Sequence, residues 1–132
     1  MLGQLTTDEN VVVADFEAGL GTVMRIGDRS VDVVIVVVEP TATSLDVGRR
    51  AAELVGERSL GRLVVTANRV RDDADLDRVR TAFPGLELVV VPDEAAIVAA
   101  ERAGVAPLDA APDAPGVRAL VRLGETLITS SG

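Results

Sequence analysis

The chain has 132 residues and a formal charge of −8 from 13 basic and 21 acidic side chains, with 48% hydrophobic residues and only 2% aromatic. With no cysteine and no histidine, it is excluded from disulfides, thiolate or imidazole metal sites, thiol nucleophiles and Ser-His-Asp catalysis. The acidic balance, without a basic stripe or stacking aromatics, argues against direct nucleic-acid binding.

A chain of this length makes one domain, 1–132, and its core must be built from Val, Leu, Ile and Ala, which suits helices laid on a sheet. Asn10 to Phe16 reads as a first strand, apolar and β-branched enough to be covered on both faces. The next stretch carries Gly19, Gly21 and Gly27, leaving room for only a short helix before a second strand at Val31 to Val38. After Pro40 a helix of about four turns is expected, with Thr43 or Ser44 as N-cap, Leu45, Ala52 and Val55 near one face, and Gly61 beyond its end.

Leu63 to Ala67 forms the third strand. Leu76, Val79 and Phe83 mark the next helix, stopped by Pro84 and Gly85. Leu86 to Val91 is the fourth strand, and Asp93 can cap a helix ending at Gly104. A Pro/Ala-rich loop then leads to a last helix from about Pro115 to Ile128, with Val117, Leu120, Val121, Leu127 and Ile128 on one side. The tail TSSG is expected to fray. Strands alternating with helices predict a three-layer α/β/α sandwich with a mainly parallel sheet and its functional edge at the strand C-termini. The longest purely apolar run, Val33 to Val38, is far short of the roughly 20 residues of a membrane span. No secretory signal pattern opens the chain, so a cytoplasmic location is expected.

Several residues fall at that edge. Asp15 ends the first strand, followed by Glu17 and Gly19; an acid there can hold Mg²⁺ and a glycine can let a backbone N–H approach phosphate, although strand-end Asp residues also cap turns. Asn68 ends the third strand, where its amide can read a purine edge or simply form a turn. Pro92 and Asp93 end the fourth strand, where their plainer role is to start a helix.

Taken together, VVVADFEAG, EP after the second strand, GRLVVTANR and VPDEAAIVAAERAGVAPLD occur in an order that resembles the C-terminal part of the deviant Walker A ATPases, the MinD/ParA family of P-loop NTPases. The branch of closest likeness is the CooC-type accessory ATPases of carbon monoxide dehydrogenase maturation. The likeness runs from about Val11 to Leu127. It implies a dimeric ATP- and Mg-dependent switch protein in which Asp15 is the metal-side acid and Glu17 to Gly19 sense phosphate. Asn68, Arg69, Pro92 and Asp93 would then border the adenine.

The departures matter. The family's Gly-rich loop and signature lysines are not found here; all thirteen basic residues are Arg. Such a loop cradles the triphosphate, so ATP would be held by its base and its metal alone. The cysteine pair expected of the CooC-type branch is missing too. Loss of the loop-bearing strand between the first two strands would leave a gap of roughly 9 to 10 Å. Either those strands close up, or another chain fills the slot, or the ordered domain begins after Asp15. The expected function is a truncated or degenerate nucleotide-binding domain without autonomous hydrolysis. The alternative is an interaction module that forms a homodimer or docks on a complete ATPase subunit. A signalling receiver domain is disfavoured by the missing lysine.

Overall fold

The computed structural model describes residues 11–16 and 31–129. Its elements run β1 (Val33–Val38), α1 (Ala42–Arg58), β2 (Arg62–Val70), α2 (Asp73–Ala82), β3 (Leu88–Pro92), α3 (Ala95–Ala103), α4 (Pro107–Ala110) and α5 (Pro115–Thr129). The three strands form one parallel sheet in the order β1-β2-β3. The fold is the expected α/β sandwich, with a parallel sheet between helices.

Register assigns the two faces. Val34, Val36 and Val38 lie opposite Leu63, Val65 and Ala67, while Val65 and Ala67 lie opposite Leu88 and Val90. Because side chains alternate along a strand, these residues share one face. Ala52 of α1, Val79 of α2 and Phe83 pack against it, and Ala51, Val55 and Leu60 extend the same layer over Val34 and Val36. Gly48 sets how closely α1 approaches: a Cβ there would run into Val38 Cγ1 and come within 3.2 Å of the Phe83 ring.

On the opposite face Val64, Thr66 and Val91 are buried, and α5 packs on β3 there with Val117 and Ala119 buried. The cover is incomplete over β1, whose Ile35 and Val37 remain 39% and 63% exposed. The stripe expected on α5 is only partly covered as well, since Leu120, Val121 and Ile128 are exposed.

Local chemistry moves several boundaries. The N-cap of α1 is Thr41, with extended backbone, whose hydroxyl accepts from the Ser44 N–H at 3.3 Å. Ser44 instead accepts from the Glu39 N–H at 2.9 Å, so the two hydroxyls satisfy donors on either side of the helix start. Helix α2 is capped by Asp72, which accepts from the Asp75 N–H at 2.8 Å. Helix α3 starts at Glu94, not Asp93, because the Asp93 N–H donates to the Val70 carbonyl at 2.9 Å and keeps that residue tied to the sheet. The stretch expected as loop contains the single turn α4, which Pro107 opens at a position where its missing N–H costs nothing.

The strand expected over Asn10 to Phe16 is not formed where it can be described: Val11 to Phe16 are exposed and outside any strand. A strand exists only by pairing its N–H and C=O groups, and the described sheet begins at β1. Asn10, Glu17, Gly19, the expected short helix and the TSSG tail beyond Thr129 lie outside the described residues.

Candidate functional site

Strand β2 runs past its expected end. Ala67 is opposite Val90 and Val70 opposite Pro92, so β2 spends one residue more than β3 over the same span. That extra residue makes a bulge at Asn68–Arg69, and Arg69 takes up the kink with a φ of 61°. A left-handed backbone is unfavourable for a residue bearing a Cβ and costs about 1 to 2 kcal/mol. Asn would tolerate it better, yet the strained position falls on the arginine. Strain of this kind collects where a side chain must be aimed.

The aim is visible in the contacts. The Arg69 guanidinium lies between two carboxylates at the neighbouring strand tips, with Nη1 3.4 Å from Glu39 Oε1 and Nε 3.6 Å from Asp93 Oδ1. Glu39 follows the last residue of β1, and Asp93 follows the last of β3. All three side chains are substantially exposed, at 62%, 45% and 38%, so the pairs add at most about 1 kcal/mol each. Their effect is to line up an acid, a cation and an acid along the C-terminal edge of the sheet.

The structure places Asn68, Arg69, Pro92 and Asp93 toward one edge of the sheet, with Asn68 and Arg69 inside β2 and not beyond its end, and adds Glu39. The signal for Glu39 was present in the EP dipeptide closing the second strand. Asp15 is exposed in a stretch outside any strand, while Glu17 and Gly19 fall outside the described residues. Asp93 does not cap a helix, which removes its plainer reading and leaves its carboxylate at the edge.

A second charged group braces the same end of the sheet. Asp75 is only 1% exposed and accepts from the Arg71 N–H at 3.1 Å and from Arg71 Nε at 2.9 Å. Hydrogen bonds from Arg71 hold the Asp75 carboxyl below its ordinary value, and the same contact raises the Arg71 guanidinium. At the opposite end of the sheet Arg62 grips Glu87 through both Nε, at 2.9 Å, and Nη2. There the Glu87 carboxyl is lowered, chiefly by the hydrogen bond from Arg62.

An open cleft of about 750 Å³ lies beside the strand tips, between the start of α1 and α2, with Pro40, Thr41, Leu45, Arg71, Arg78 and Thr81 in its wall. It shares none of the four gathered residues. A base held at the bulge would therefore lie along the open strand-tip edge and not in this cleft.

The donor set fits a purine better than a triphosphate. Asn68 offers a donor and an acceptor, Asp93 an acceptor and Pro92 an apolar flank. Around them the acids Glu39 and Asp93 already share the one guanidinium, and no lysine is available anywhere in the chain. For a metal, the described residues contain no group of three or more acidic side chains placed to hold an ion. Among the described residues no helix is long and apolar enough to cross a membrane.

Comparison with protein-family models finds no match. A search of curated proteins finds similarity to an uncharacterized ATP-binding protein of Methanocaldococcus jannaschii, 34% identical over 65 residues. The matched stretch is 49% of this chain and 25% of that protein. The chain is thus similar in part to an ATP-binding protein, over a quarter of the relative's length.

Proposed function

We propose that the C-terminal edge formed by Asn68, Arg69, Pro92 and Asp93 is the base-binding end of an ATP site, in a domain of the MinD/ParA type that binds nucleotide weakly and does not hydrolyse it alone. The observation that carries this reading is the bulge at Asn68–Arg69, which places strain on the one arginine lying between the acids of the two adjacent strand tips. The partial similarity to an ATP-binding protein supports it. In this reading the Asn68 amide pairs with the adenine edge, Pro92 flanks the ring, and Asp93 accepts from the exocyclic amine. Arg69 stacks or bonds beside it once drawn away from Glu39.

Magnesium would be brought with the phosphates, and Asp15 is the residue assigned to it. Mg²⁺ typically takes one or two protein carboxylates besides phosphate oxygens, so one acid suffices if the segment bearing it reaches the edge. Glu17 and Gly19 would flank the phosphates.

Titration of the folded chain with Mg-ATP, followed by calorimetry and by amide chemical shifts, tests the proposal. Binding near millimolar Kd, about −4 kcal/mol, is expected, with shifts concentrated at Asn68, Arg69 and Asp93 and lost in Asn68→Ala. Neither heat nor shift at about 5 mM ligand would rule the site out. A second reading, an interaction module that dimerises or docks on a complete ATPase, is favoured by the absence of lysine from all 132 residues. Sedimentation of the free chain as a strict monomer, with no association to an ATPase subunit, would dismiss it.

A further inference from the structure

Among the described residues the sheet has an edge built as though it were an interior strand. Strand β1 reads VVIVVV, with no charge, no proline and an unbroken register against β2. Natural edge strands are blunted by charges, prolines or bulges, because bare N–H and C=O groups otherwise recruit another strand. Here none of these devices is present, and Ile35 and Val37 on the face away from α1 are left exposed. The same chain carries a second exposed apolar stretch. Val11, Val12, Val13 and Phe16 are all exposed, Val13 at 85%, and lie outside any strand.

We infer that Val11 to Phe16 is the occupant of the β1 edge, docking on it as a fourth parallel strand. Both segments are rich in β-branched residues, Val11 to Val13 in one and Val33 to Val38 in the other. Sixteen residues, 17–32, separate them, and a parallel connection needs roughly a dozen. A tethered strand also outcompetes a free one, since its effective concentration at the edge is millimolar for a short linker. Strand addition covers Ile35 and Val37 with Val11 and Val13 and pairs the outward backbone groups of β1. Parallel pairing also carries Asp15 to the C-terminal edge beside Glu39, in line with Arg69 and Asp93. The inference stands on the exposed edge and does not depend on nucleotide binding; its test contains no nucleotide.

The chain lacks cysteine, so cross-linking can be placed at will. Adjacent strands lie about 4.8 Å apart, within the Cα separation a disulfide spans. Val13→Cys combined with Ile35→Cys, or with Val37→Cys, uses positions that are exposed on both sides. Under mild oxidation of dilute protein, at least one pair is expected to close within a single chain, detected as a monomer-mass species with faster migration that reverts on reduction. Hydrogen exchange on the unaltered chain is the companion measurement, with the 12–16 amides expected to be protected at least about tenfold over a free peptide. Cross-links that form only between chains would hand the edge to a second copy and overturn the inference. Free-peptide exchange at 12–16 with no cross-link in either pair would overturn it as well.

Discussion

Arg69 is where backbone geometry and side-chain purpose pull apart. Its φ of 61° penalises any residue with a Cβ, while its guanidinium spans Glu39 and Asp93 at the strand tips. Arg69→Gly separates the two. The exposed ion pairs lost are small and the strain relieved is about 1 to 2 kcal/mol, so the thermal midpoint is expected to hold or rise, while the Mg-ATP heat falls by at least about threefold. A fall in both, measured by calorimetry on the same sample, would mean that the arginine is structural. Thr66 is the complementary case. It is buried under the face that α5 covers, and its Oγ1 has no hydrogen-bond partner among the described residues. Thr66→Val keeps the shape and removes the unpaired hydroxyl, so the urea midpoint should rise, by about 1 kcal/mol in stability.

At the scale of elements, α1 approaches β1 closely at Gly48. Gly48 faces Val38 and Phe83 with no room for a side chain. Gly48→Val should cost about 1 to 3 kcal/mol by overpacking, read as a lower urea midpoint with unchanged slope. An increase in stability would mean that α1 can slide. The four longer helices and the three strands of the described sheet were readable in the sequence because burial leaves a period: Val33 to Val38 as a continuous apolar run, Leu76, Val79 and Phe83 at helical spacing. What could not be read was set by contacts between distant residues. The chain alone does not say that Val70 accepts from Asp93, and that bond is why Asp93 belongs to the sheet edge and Glu94 starts the helix. Nor does it say that β2 would bulge, because a bulge is a mismatch between two strands and each strand alone looks regular. The first strand illustrates the opposite limit. VVVADF has strand composition, but composition supplies propensity and does not name the partner, and residues 11–16 lie outside the described sheet. Pro92 and Asp93 were legible as residues closing a strand, whereas the continuation of β2 through Asn68 to Val70 and the reach of Arg69 to Glu39 and Asp93 were not.

For the molecule as a whole, the titratable groups define a wide plateau with one accessible cliff. With no histidine, cysteine, lysine or tyrosine, no side chain ordinarily titrates between the carboxylates and the arginines. Asp75 is lowered from an ordinary 3.8 by the hydrogen bonds from Arg71, and Glu87 from 4.5 by the hydrogen bond from Arg62. A group whose native pKa is depressed stabilises the fold fully above its unfolded value and loses that contribution as pH falls toward the native one. Both acids therefore act with the same sign, and stability should decline from about pH 5 downward. Their partners Arg62 and Arg71 are raised above the ordinary guanidinium value, chiefly by the hydrogen bonds to Glu87 and Asp75, so their contribution is present throughout the acid and neutral range and is lost only in strong alkali. The net charge of −8 works against the acid decline, since protonating surface acids relieves self-repulsion. That relief is spread over many exposed carboxylates and is complete near the isoelectric point of about 4.5, whereas the loss at Asp75 continues below it. The acid limb should win. Urea midpoints are expected to be flat from about pH 6 to 9 and to fall between about pH 5 and 3. Asp75→Asn should lie below the parent on the plateau, having lost the charge that accepts from Arg71, and should show a shallower acid limb. A midpoint that climbs steadily on acidification would mean that diffuse repulsion, and not the Arg71–Asp75 and Arg62–Glu87 contacts, governs the pH response of this fold.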